Sequence, residues 1–148
     1  MSLLVDGKDV LAGEKDKKEV QNYVDLLGYI DGLKESSSIV EEVLLEIHRL
    51  TVKGILPDSS AGNYRKVRVV VGDPKTGKVT YTPPMPEDVP LLTKSLLEWL
   101  NSEEAFDLMP AVQAGIAHYE LARIHPFVDG NGRTARALTT FILQYFTN

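Results

Sequence analysis

A mainly α-helical single domain carrying one β-hairpin is the fold class this sequence predicts, and three observations predict it. Apolar residues recur at spacings of three and four in five separate segments, the mark of helices with one buried face. One β-branched run, a turn-rich cluster and a second short run make a single hairpin. No internal repeat and no linker divides the 148 residues, a length that supports one real core.

Each element follows from its residues. Residues 1–15 read as a flexible N-terminal segment of one 1–148 domain. From about Asp16 to Leu33, Val20, Tyr23, Val24, Leu27 and Ile30 fall on one helix face. Ser36-Ser37-Ser38 interrupts, and Ser38 with Glu41 reads as a capping box for the next helix. That helix runs to about Thr51, with Ile39, Val43, Leu44, Ile47 and Leu50 facing inward. Residues 54–62 are a loop around Pro57-Asp58-Ser59-Ser60.

Val67, Val69 and Val71 alternate along a first strand, Gly72 to Gly77 turns, and Val79-Thr80-Tyr81-Thr82 returns as the second strand. Pro83-Pro84 stops it, and a lone hairpin must lean on the helices for stability. Asp88 to Leu100 is helical through Leu92, Leu96, Trp99 and Leu100. Pro110 starts the following helix, where Val112, Ile116, Tyr119 and Ile124 mix with small Ala111, Ala114, Gly115 and Ala117. Ala135 to Phe146 is strongly apolar and reads as a buried central helix.

Composition narrows the function classes. The apolar fraction of 43% and charged fraction of 25% are those of a soluble globular protein. No cysteine excludes a disulfide framework, a thiolate zinc site and a cysteine nucleophile. A formal charge of -5 argues against a nucleic-acid surface, which normally shows a basic face. The first ten residues lack a basic stretch followed by an apolar one, and no apolar run approaches a membrane span, so a cytoplasmic protein without membrane contact is expected. Arg123, Arg133 and Arg136 gather in an otherwise acidic chain, which suits a small anionic ligand.

Those arginines surround the segment from His125 to Arg136, His-Pro-Phe-Val-Asp-Gly-Asn-Gly-Arg-Thr-Ala-Arg. Gly130 and Gly132 flank Asn131, where a tight turn brings backbone N–H groups close to a ligand. A helix starting near Gly132 would turn its free N–H groups and positive dipole end toward a phosphate. Arg133 and Arg136, three apart, share one helix surface, and two guanidinium forks suit a di- or triphosphate. Asp129 offers a hard oxygen for magnesium, which binds through one or two carboxylates plus substrate phosphates. His125 can accept a hydroxyl proton near neutral pH, since an unperturbed imidazole has a pKa of about 6.5.

Any one of these features alone is ordinary in a structural loop; the combination is not. Phe127, apolar among polar neighbours, reads as a core anchor for the loop. His118, His125 and Asp129 also spell a zinc alternative, which no His-Glu-x-x-His pattern supports. His48 reads as a polar boundary residue, and Arg65 either reaches the site or pairs with an acid.

The twelve-residue stretch resembles the Fic family signature, His-x-Phe-x-Asp/Glu-Gly-Asn-Gly-Arg-x-x-Arg, with every fixed position filled. Ile47-His48, Gly62-Asn63-Tyr64-Arg65, Tyr81-Thr82-Pro83-Pro84, Trp99-Leu100 and Ala117-His118-Tyr119 follow in the order expected of Fic domains, so the likeness covers most of the chain from about Val20. The resemblance implies a Fic-type helical bundle with one β-hairpin flap. It implies transfer of AMP from Mg-ATP to a Ser, Thr or Tyr hydroxyl of a target protein. His125 would then be the general base and Asp129 the magnesium ligand. Asn131, with the backbone at Gly130 and Gly132, would hold the α-phosphate, and Arg133 and Arg136 the outer phosphates, Arg136 the γ-phosphate. Val79, Thr80, Tyr81 and Thr82 would form the flap that aligns the target by strand addition.

Gly132 stands where the phosphate-transferring Doc branch carries lysine, which favours AMP transfer. Alternatives are another Fic-type transfer, of phosphate or a different nucleotide, and a nucleotide-binding regulatory module without turnover. The family's inhibitory pattern, Ser/Thr-x-x-x-Glu-Gly/Asn, does not occur, and the chain stops at Asn148 where family members continue with helices completing the adenine pocket. A fragment of a longer protein is therefore expected, and the resemblance also implies self-association as a homodimer.

Overall fold

The computed structural model describes residues 13–33 and 38–147, with side chains as far as Gln144. Six α-helices and one hairpin account for the described residues: α1 (Glu14–Gly32), α2 (Glu41–Val52), β1 (Val71–Gly72), β2 (Val79–Tyr81), α3 (Val89–Leu100), the short α4 (Glu103–Phe106), α5 (Pro110–Ile124) and α6 (Asn131–Thr147). A 3-10 turn, Pro86–Asp88, leads into α3. The helices stack in the order α1, α2, α6, α5, α3, so α5 and α6 form the middle of the bundle. None of the described helices is long and apolar enough to cross a membrane.

The central pair is close because α5 turns small residues inward. Ala114 and Ala117 are buried with Leu121 and Ile124, while Val112, Ile116 and Tyr119 point outward. The small residues of this segment, expected to allow close helix contacts, do so at Ala114 and Ala117, whereas Ile124 is the one large residue of the expected set that is buried. From α6, Thr134, Ala135, Ala137, Leu138, Phe141 and Ile142 face the core. Arg136 and Leu143 are exposed and Thr139 and Thr140 half-buried, so α6 is one-sided and not buried all round.

Polar residues correct two further expectations. On α1 the inward face is Asn22, Leu26 and Ile30, with Tyr23 and Val24 more than half exposed at 57% and 56%. Asn22 is buried because its Nδ2 donates to the carbonyls of Thr51 (3.2 Å) and Lys53 (2.9 Å), which the end of α2 leaves without helical partners. The helix itself begins at Glu14, inside the segment expected to be flexible, whose first twelve residues lie outside the described ones.

The capping box at Ser38 and Glu41 does not form; Val40 is the N-cap and no side chain caps α2. Ser36 and Ser37 lie outside the described residues. Asn101 organises this entry instead, accepting from Ile39 N (3.0 Å) and donating to Ile39 O (2.9 Å) and Leu97 O (2.9 Å). Glu41 accepts from the Tyr64 hydroxyl at 3.0 Å.

The hairpin is antiparallel, pairing Val71 with Tyr81 and Gly72 with Val79. It is shorter than the alternation suggests: Val67 and Val69 precede β1, and Thr82 follows β2. Gly72 is required by space, since a Cβ there would collide with the Lys78 carbonyl. The hairpin leans on the bundle as its small size demands, through the Tyr81 hydroxyl donating to Arg123 O at 2.7 Å.

Candidate active site

Helix α5 ends at Ile124, and His125 is its left-handed C-cap at φ 51° and ψ 60°, its N–H donating to Leu121 O at 2.9 Å. It is the single non-glycine with positive φ among the described residues. The turn throws the imidazole out of the helix and starts the loop. Phe127 then plugs the core, fully buried and stacked on His48 with ring centroids 3.7 Å apart. Its expected anchoring role holds.

Behind the plug, Asn131 closes the loop on itself. Its Oδ1 accepts from Phe127 N (2.9 Å) and its Nδ2 donates to Phe127 O (2.8 Å). The two glycines serve different needs. Gly130 has φ 80°, and a Cβ there would strike Val52 Cγ1 at 2.7 Å. Gly132 carries no left-handed turn; it lies in the first turn of α6, where a Cβ would only touch Arg136 Nη1, at 3.4 Å.

Helix α6 starts at Asn131, one residue before the expected point. Its first helical bond runs from Thr134 N to Gly130 O at 3.0 Å, so the N–H groups of Asn131, Gly132 and Arg133 point out of the helix end. Arg133 is half-buried and pairs with Glu19 of α1 at 3.4 Å, yet its Nη1 makes no hydrogen bond. Arg136 is exposed one turn on. Both line a groove of about 620 Å³ between α1 and α6, together with Glu19, Tyr23, Ile30 and His118.

Asp129 is exposed at the loop's tip, its Oδ1 accepting from Gly130 N at 2.8 Å. As a single outward carboxylate it fits a magnesium ion held largely by substrate phosphates and water. The zinc alternative is not assembled: no three His, Cys, Asp or Glu residues gather into a metal cluster among the described residues, and His118 faces the groove.

His48 is not a boundary residue. It is fully buried, with Nδ1 accepting from Gly62 N (2.9 Å) and Nε2 facing Asp129 O (2.9 Å). The Gly62 N–H makes Nδ1 the acceptor, so Nε2 carries the proton and donates to Asp129. Burial holds the His48 pKa below the ordinary imidazole value, the Asp129 carbonyl opposing and the Arg133 charge adding to it. His125 is also held low, by burial first, against the Ala122 carbonyl, with the Arg65 charge acting in the same direction as burial. A neutral imidazole at pH 7 is the form a general base needs.

Of its two expected roles Arg65 takes the first: it reaches the loop, its Nε donating to His125 O at 2.6 Å. It is buried, makes no ion pair among the described residues, and gives its guanidinium to backbone carbonyls. Glu19 and His48 are the parts of the site's frame that the sequence reading misses. For His48 a signal existed: it shares the apolar face of α2 with Leu44, Ile47 and Thr51, where a polar residue needs internal partners.

Residues 38–143 match the Fic/DOC family model. The chain is 37% identical to the protein adenylyltransferase Fic of Drosophila melanogaster over 136 residues, 87% of this chain and 26% of that protein. To the protein adenylyltransferase Fic of Nematostella vectensis it is 37% identical over 144 residues, 96% of this chain and 31% of that protein. The chain therefore spans between a quarter and a third of the length of these curated relatives. Among solved structures, a Fic family protein from Desulfovibrio desulfuricans superposes with a TM-score of 0.79 at 32% identity, covering 99% of this chain and 42% of that one. Fic-1 from C. elegans superposes with a TM-score of 0.76 at 34% identity, covering 90% of this chain and 38% of that one.

Proposed function

The chain belongs to the Fic/DOC family, and on that premise we propose that it is a protein adenylyltransferase, moving AMP from Mg-ATP to a Ser, Thr or Tyr hydroxyl of a target protein. The observation that carries this reading is the loop itself. A neutral imidazole at the end of α5 faces the same loop as the open N-terminus of α6, where backbone N–H groups and two arginines stand ready for an anion.

In this reading His125 takes the proton of the target hydroxyl as its oxygen attacks the α-phosphorus. The new P–O bond forms as the bond to the β-phosphate breaks, and pyrophosphate leaves. The backbone at Gly130 and Gly132, with Asn131 holding the loop shut, receives the α-phosphate on the α6 dipole. Arg133, whose Nη1 lacks a hydrogen-bond acceptor, and Arg136 neutralise the outer phosphates. Magnesium bound at Asp129 would supply charge neutralisation on the departing pyrophosphate. Val79, Thr80, Tyr81 and Thr82 form the flap on which the target strand registers.

ATP labelled at the α or the γ position tests it. Label reaching protein only from the α position is the expected result; label only from γ would replace AMP transfer by phosphate transfer. No label from either, despite measurable Mg-ATP binding, would leave a nucleotide-binding module.

A further inference from the structure

Arg65 is a cation with no anion beside it among the described residues. Its side chain is buried at 3% exposure, and no carboxylate pairs with it among the described residues. Four hydrogen bonds go to carbonyls instead: Nε to His125 O (2.6 Å), Nη1 to Val67 O (3.0 Å), and Nη2 to Pro84 O (2.6 Å) and Ile124 O (3.2 Å). Its backbone N–H adds a fifth bond, to Pro126 O at 2.8 Å. A buried charge without a counter-charge is costly unless dipoles replace water, so this arrangement must be compensated locally.

The identity of the carbonyls explains how. Ile124 and His125 end α5, where the helix dipole is negative and the carbonyls lack helical partners. Val67 and Pro84 lie on either side of the hairpin, one before β1 and one after β2. A single planar, rigid fork therefore ties both roots of the hairpin to the carbonyl of the histidine itself. Lysine carries its donors on a single tetrahedral nitrogen at the end of a flexible stem and cannot reach such a set in one plane.

We propose that Arg65 is a positioning residue, a carbonyl clamp that fixes the hairpin and His125 relative to each other. The inference rests on the AMP-transfer reading, in which the hairpin registers the target and His125 takes its proton. A hydroxyl presented by the hairpin must meet the imidazole within hydrogen-bond reach, and a displacement of about 1 Å can cost on the order of a hundredfold in rate. The clamp sets that distance without touching either substrate.

The test uses Arg65→Ala and Arg65→Lys in the full chain, with two readouts that need no turnover. Amide exchange at Val71 and Tyr81 reports the hairpin, and the ring resonances of His125 report the base. Both variants should bind Mg-ATP as the native chain does. In Arg65→Ala the hairpin amides should exchange about tenfold faster, the His125 resonances should move, and its titration should shift upward. Added guanidinium ion, below denaturing concentration, should bring both back together; Arg65→Lys should loosen the hairpin but leave the titration nearer native. Unchanged exchange and resonances, or a change in one without the other, would overturn the clamp. Should Arg65→Ala not fold, hairpin exchange and His125 resonances in Arg65→Lys decide. If both readouts move while neither native nor variant chain transfers label from α-labelled ATP, the clamp stands and the AMP-transfer reading fails.

Discussion

His125 holds a left-handed backbone that costs a side chain about 1–2 kcal/mol, and the neighbouring contacts hold it there. Strain of this kind is a pointer to function. His125→Ala should abolish AMP transfer while sparing Mg-ATP binding; near-native transfer by the variant would remove the base assignment. Arg136→Ala should weaken Mg-ATP binding measured by titration, and unchanged affinity would take Arg136 out of the phosphate site. The lowered histidines also set a pH dependence. With His48 and His125 both held below the ordinary value, the folded chain binds fewer protons than the unfolded chain below about pH 6.5. Stability is then full above that pH and declines as pH falls through the lowered folded values. Urea midpoints measured from neutral to mildly acid pH should fall in that direction, whereas the acid limb of transfer should lie below the ordinary imidazole pKa.

At the scale of elements, the loop between α5 and α6 is held by contacts from α2. His48 donates to Asp129 O and stacks on Phe127, and Val52 closes on Gly130. Gly130→Ala combines a left-handed φ with a collision against Val52, and should destabilise the chain by about 1–3 kcal/mol. Denaturant unfolding of Gly130→Ala with and without Val52→Ala separates the two causes. If Val52→Ala relieves none of the loss, the collision is not part of it. The helices themselves were legible from periodicity, because one buried face repeats every three to four residues. The helix starts and inward faces were less so. Asn22 and Asn101 satisfy backbone groups across the fold, and a hydrophobic pattern foresees neither the bonds of Asn101 nor the burial of Asn22.

Across the whole molecule, α6 carries both a core face and the two arginines that line the groove beside α1, so packing and the proposed nucleotide site share one helix. Leu138, fully buried, tests that sharing: Leu138→Ala should cost about 2–5 kcal/mol of stability. The check is thermal unfolding alongside Mg-ATP binding; an unchanged melting temperature would mean that α6 is not held by its core face. By itself the sequence determined the mainly α class, the single hairpin and the residues of the His125–Arg136 loop, because each is written in adjacent residues whose spacing carries the chemistry. Only the tertiary structure decided that Glu19 meets Arg133, that His48 supports Asp129, and that Arg65 binds carbonyls from α5 and from both ends of the hairpin. Those contacts join residues far apart in the chain. Their partners are mostly backbone groups, which every residue possesses and no side-chain pattern announces.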